Sequence, residues 1–159
     1  MKNQLLLSIS IILCTIVLSS CSSDGDSDLP AENSNTFVEN TILNSINEHR
    51  NSLSLLSLEE NSVAKQLAFD HAQFMANQRE LSIDGNSERK TRLQETENAT
   101  AVVEFNSRFY SPEELVQNWL REGSTTKNSL ESNFSNVGIA VTQDEVGQNY
   151  YTLIMFRMR

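Results

Sequence analysis

The two histidines, His49 and His71, are the first residues to weigh for chemistry, because imidazole titrates near neutral pH and ligates divalent metals when neutral. His71 recurs at helical spacing with Leu67 and Met75, a face that suits a partly buried, hydrogen-bonded side chain better than an open catalytic one. His49 also falls on an apolar helical stripe and reads as packing. Glu97 and Glu104 form an acid pair of the kind a glycosidase uses, provided folding brings the carboxylates to the right separation. A structural Glu97 that holds its loop is the favoured reading. The chain has no G-x-S-x-G elbow, no H-E-x-x-H pair and no glycine-rich phosphate loop. Both cysteines, Cys14 and Cys21, lie near the start, so the rest of the chain offers no thiol nucleophile and no disulfide.

The elements that position these residues follow from periodicity. Ile42, Ile46, His49 and Leu53 form one stripe of a helix beginning near Thr36. Ser57 with Glu60 reads as a capping box for a second helix that carries Val63, Leu67, His71 and Met75 on one face and ends near Arg79. Asp84-Gly85-Asn86 signals a turn, and Ser87 to Glu95 a short polar helix anchored by Leu93. Ser111-Pro112-Glu113-Glu114 supplies a cap, a first-turn proline and acids suited to a helix N-terminus, ahead of the stripe Leu115, Val116, Trp119, Leu120. Val137 to Val141 and Tyr150 to Phe156 read as antiparallel strands around a turn at Asp144 to Gln148, with Thr100 to Phe105 as a further strand. Helices first and strands last predict an α+β domain with helices packed on a small antiparallel sheet.

The start of the chain has a different character. Lys2 precedes an apolar run from Leu5 to Leu18 that is diluted by Ser8, Ser10 and Thr15, too short for a comfortable membrane span and laid out as a secretory signal. It closes on Leu18-Ser19-Ser20-Cys21, which resembles the bacterial lipobox and implies cleavage before Cys21 with lipid on that cysteine. Residues 21–35 are polar and acidic and read as a flexible tether, leaving residues 36–159 as one domain. The net charge is −9, one unit more negative once Lys2 is removed, which disfavours nucleic acid as a partner.

The order of motifs from Ile42 to Phe156 resembles the CAP superfamily of cysteine-rich secretory, antigen 5 and pathogenesis-related proteins. The resemblance is carried by Asn47-Glu48-His49-Arg50, His71-Ala72-Gln73-Phe74-Met75-Ala76, Thr96-Glu97-Asn98, Pro112-Glu113-Glu114, Trp119, Asn128 with Leu130, and Phe134 to Val141. It implies an α-β-α sandwich with helices on both faces of a central antiparallel sheet. It also implies a cleft that in many members holds two histidines and two acids. Here Ile83 and Thr125 stand at the histidine positions, while Glu97 matches the first acid and Glu122 is the candidate for the second. Asn98 is expected to fix the loop lining the cleft. Carboxylates without imidazoles make a poor zinc site, so neither a catalytic residue nor a metal or other cofactor is assigned.

These readings converge on a lipid-anchored cell-envelope protein whose domain is a non-catalytic binding module for a lipid, glycan or protein, with Glu97, Asn98 and Glu122 as binding candidates. An envelope hydrolase with altered cleft residues is the alternative from another class. A lipid or sterol carrier, with Phe105, Phe109 and Tyr110 lining an apolar groove, is a third. Ser22, rather than an aspartate, follows the lipidated cysteine and favours the outer membrane by resemblance to bacterial sorting rules.

Overall fold

The computed structural model describes residues 34–108 and 111–159. The leader, the tether up to residue 33 with Cys21, and Phe109 and Tyr110 therefore lie outside the described residues, whereas Ser34 and Asn35, read as the end of the tether, open the first helix. The elements run α1 (Ser34–Ser52), β1 (Glu59–Glu60), α2 (Ser62–Gln78), α3 (Asn86–Thr96), β2 (Ala99–Arg108), α4 (Pro112–Trp119), α5 (Thr125–Leu130), β3 (Asn136–Gln143) and β4 (Asn149–Met158).

The sheet order is β1-β3-β4-β2. The three long strands pair antiparallel, β4 lying between β3 and β2. Two-residue β1 adds to β3 in parallel, so the sheet is mixed rather than wholly antiparallel as expected. The difference has a local cause: Glu59 N–H donates to the Ser135 carbonyl and Asn61 N–H to the Val137 carbonyl, which turns the entry to α2 into a short edge strand.

Strand alternation divides the core into two layers. On one side Tyr151, Leu153 and Met155 of β4 and Val137, Ile139 and Val141 of β3 meet Ile42 and Ile46 of α1 and Leu115, Val116 and Trp119 of α4. On the other side Ile154 and Phe156 meet Ala64, Ala68 and Ala72 of α2 and Leu93 of α3. The result is the expected α-β-α sandwich.

The buried face of α2 is narrower and smaller than the sequence stripe suggested. Val63 and Leu67 sit half-buried at its flank, and alanines occupy its centre. The reason is close approach: a Cβ on Gly138 would lie 2.1 Å from the Ala64 backbone, so helix and strand touch backbone to backbone. The cap also differs, since Asn61 and not Ser57 accepts from Ala64 N–H. Leu53 lies beyond the end of α1 and is exposed, because the chain turns at Ser52 before the apolar stripe completes. Helix α5 had no counterpart in the sequence reading, its residues being mostly polar.

Arg50, from Asn47-Glu48-His49-Arg50, is almost wholly buried. Its guanidinium donates to the carbonyls of Leu56, Leu130, Ser132 and Phe134 and so ties the end of α1 to the segment leading into β3. Burial pushes its pKa below the usual arginine value. Glu39, also buried, accepts from the Val141 N–H of β3 at 3.3 Å and pairs with Lys65 at 3.3 Å, covering backbone that β1 is too short to reach.

Candidate functional site

The polar centre of the domain lies under α2, where helix, loop and sheet converge. Glu104 and Asn106 alternate on the face of β2 turned toward α2 and α3. Arg89, on α3, donates Nε to Glu104 Oε2 and Nη2 to Glu104 Oε1, both at 2.7 Å. Its Nη1 donates to the Asp84 carbonyl at 2.7 Å. Asn106 Nδ2 donates to Glu104 Oε1 and to the Ser82 carbonyl, each at 3.0 Å, and Asn106 Oδ1 accepts from Thr152 Oγ1 at 3.0 Å. His71 enters from α2, its Nε2 donating to the Ser82 carbonyl at 2.9 Å. Glu104 Oε1 lies 3.7 Å from the same nitrogen, too far for a hydrogen bond.

The electrostatics follow from this geometry. Burial pushes the Glu104 carboxyl upward, but donors from Arg89, Asn106 and Asn86 outweigh it and hold the group below the ordinary carboxylate range. Burial pushes the His71 imidazole down, with the Arg89 charge adding to the effect against the pull of the Ser82 carbonyl and Glu104. Because a carbonyl only accepts, the Ser82 contact puts the proton of the neutral ring on Nε2 and leaves Nδ1 as a lone-pair acceptor. His71 lines an open groove of about 330 Å³ with Leu67, Asp70, Phe74, Asp84, Gly85 and Arg89. The Phe74 ring stacks near His71, centroids 6.0 Å apart. A second depression of about 480 Å³ shares Phe74 and Asp84 and adds Gln78, Glu80, Leu81 and Ser82.

The residues singled out in the sequence are scattered around this centre. Glu97 caps the end of α3, and its Oε2 accepts from Asn61 Nδ2 at 2.8 Å, which ties the start of β2 to the N-terminus of α2. Asn98 follows in the left-handed region at φ 54° and is exposed. The strand from Ala99 to Glu104 alone spans roughly 16 Å, so Glu97 and Glu104 do not form a glycosidase pair, for which about 5–10 Å is needed. Ile83, beside the polar centre, is 76% exposed. Thr125 opens α5 and is exposed.

Glu122 is exposed and pairs with Lys127 at 3.2 Å. Lys127 also reaches Glu131 at 2.7 Å, and His49 Nε2 meets Glu131 Oε1 at 2.9 Å. Both imidazoles thus have structural partners. Among the described residues no group of three or more His, Cys, Asp or Glu side chains is set to hold a metal ion. Phe105 is partly buried against the α1–α4 core layer, on the opposite side of the sheet from Glu104.

Arg89, Glu104 and Asn106 were not grouped from the sequence. The available signal was a carboxylate within the apolar run Ala101 to Phe105 of a strand, which demands a buried partner.

The fold recurs in solved structures. An outer surface protein from Borrelia burgdorferi superposes with a TM-score of 0.69 at 15% identity, over 77% of this chain and 94% of that one. An extracellular protein containing a SCP domain from Bacillus anthracis gives 0.61 at 21% identity, over 77% of this chain and 41% of its own. A cysteine-rich secretory protein from Staphylococcus aureus gives 0.60 at 20% identity, over 80% and 40%. This chain thus spans less than half of the latter two. No curated protein sequence matches. Residues 43–156, from the third turn of α1 to the end of the β4 core, match the sequence model described as CAP, Cysteine-rich secretory protein family. The chain belongs to that family.

Proposed function

We propose that this chain is a lipid-anchored cell-envelope protein, cut before Cys21 and held at the outer membrane, whose CAP domain binds an envelope ligand without chemically changing it. The observation that carries the reading is that the acid beside each imidazole is already neutralised by a cation, so neither histidine has a free carboxylate to work with. His71 donates to the Ser82 carbonyl beside an arginine-neutralised Glu104, and His49 meets Glu131, which Lys127 already neutralises. General acid–base catalysis needs a titrating group within hydrogen-bond reach of a substrate proton, and Ile83 and Thr125, which stand where the family resemblance places the cleft histidines, supply none.

The signal-like leader, Leu18-Ser19-Ser20-Cys21 and the acidic residues after it support the anchor. The description of the Borrelia neighbour as an outer surface protein and of the Bacillus neighbour as extracellular accords with a place outside the cytoplasm. Among the described residues no helix is long and apolar enough to cross a membrane.

Native mass spectrometry of a Cys21→Ser form purified from its own cell envelope tests the reading. A stoichiometric lipid, glycan or protein adduct supports it. A divalent ion retained against chelator, with hydrolytic turnover, would move the enzyme reading to first place.

A further inference from the structure

We propose that the groove between α2 and the loop leading into α3 is a recognition site for a primary ammonium carried on an unbranched aliphatic stem, of the lysine side-chain type. The assignment rests on the binding-module reading above and names the ligand chemistry of one surface.

Three observations meet in this groove. The first is His71, 3% exposed, which lines it. Its Nε2 is occupied by the Ser82 carbonyl, and Nδ1 has no hydrogen-bond partner among the described residues. Nδ1 is not among the fully buried polar atoms left without a partner, so it keeps access to solvent and can accept from a donor on a ligand that enters the groove. The second is charge: Asp70 and Asp84 line the same groove and Glu80 the adjoining depression, all three exposed. The one cation of the groove wall, Arg89, is offset by Glu104 through two hydrogen bonds. Asp70 and Asp84 therefore leave the groove wall itself with a net negative charge. The third is apolar surface: Leu67 and the partly exposed Phe74 flank His71. An aliphatic stem buries against them, and an ammonium above the Phe74 ring gains a cation–π contact. An anionic ligand meets three carboxylates, and a purely apolar one leaves Nδ1 unpaired.

The test is a ¹H–¹⁵N NMR titration of the full chain carrying Cys21→Ser with Nα-acetyl-lysine methylamide, and in parallel with its norleucine counterpart, which has the stem without the ammonium. The expected result is saturable shifts at the amides of Asp70, Phe74 and Gly85 with the lysine probe alone. In the Asp70→Asn/Asp84→Asn variant, which alters only exposed side chains, affinity falls about fivefold or more. Absence of saturable shifts, equal response to norleucine or an unchanged affinity in the variant overturns the assignment. The probe's own resonances separate the two readings. No binding removes the groove assignment and leaves the non-catalytic reading standing, whereas a probe bound at the groove and chemically altered upholds the groove and removes that reading.

Discussion

Arg89 and Glu104 meet across the α3–β2 junction through two hydrogen bonds of 2.7 Å, with the Glu104 side chain 2% exposed. The pair fastens a short polar helix to the edge strand, and through Asn106 and Ser82 it reaches His71 on α2. A single ion pair thus sets the geometry of the candidate groove.

Removing one partner leaves the other charge buried and unpaired. Arg89→Met is expected to cost about 3–5 kcal/mol of unfolding free energy. Adding Glu104→Leu to it recovers much of that loss, because no buried charge remains. Urea denaturation of the two singles and the double closes the cycle.

Arg50→Lys is expected to destabilise nearly as much as Arg50→Met, by about 3 kcal/mol or more, although it keeps the charge. One ammonium cannot replace a planar fork that donates to the carbonyls of Leu56, Leu130, Ser132 and Phe134. Chemical denaturation measures this, and a Lys variant near wild-type stability contradicts it.

Gly138→Ala tests the contact between α2 and β3. The added methyl would fall 2.1 Å from Ala64 backbone carbon, so the helix must move away from the sheet at a cost of about 3 kcal/mol. A thermal shift of a degree or less would mean that the two elements slide freely.

The His71 pKa is depressed by folding, so below the ordinary histidine value of about 6.5 the unfolded chain binds more protons than the native one. Its contribution is therefore present above that pH and is lost as pH falls toward the depressed native value. Glu104, also depressed, adds loss of the same sign in the more acidic range, below the ordinary carboxylate value. Urea midpoints measured from pH 7.5 down to 5.5 should fall more steeply for wild type than for His71→Gln, whose amide can still donate to Ser82. Parallel curves would remove His71 as the source.

Much of this architecture was legible because it rests on local periodicity. The Ser111 cap, Pro112 and the stripe through Trp119 specify α4 within ten residues, and Val137 to Val141 with Tyr150 to Phe156 specify a hairpin. β1 was not legible, since two exposed glutamates carry no alternation and become a strand only through Ser135 and Val137. The alanine face of α2 was misread because its width is set by Gly138, which lies 74 residues after Ala64 in sequence. For the site, Thr96-Glu97-Asn98 drew attention to the start of β2. The acid beside His71 is Glu104, further along the same strand, and only folding brings Arg89 to it and Ser82 and Thr152 to its neighbour Asn106.

The proposed role of the domain is binding without turnover. The most direct measurement incubates the Cys21→Ser protein with fractionated envelope extract, isolates the complex, and compares the recovered ligand with the starting material by mass spectrometry. Binding without turnover returns a stoichiometric ligand with its mass and structure unchanged. A bound species that appears only as a cleaved or transferred product, and is absent when boiled protein is used, would contradict it.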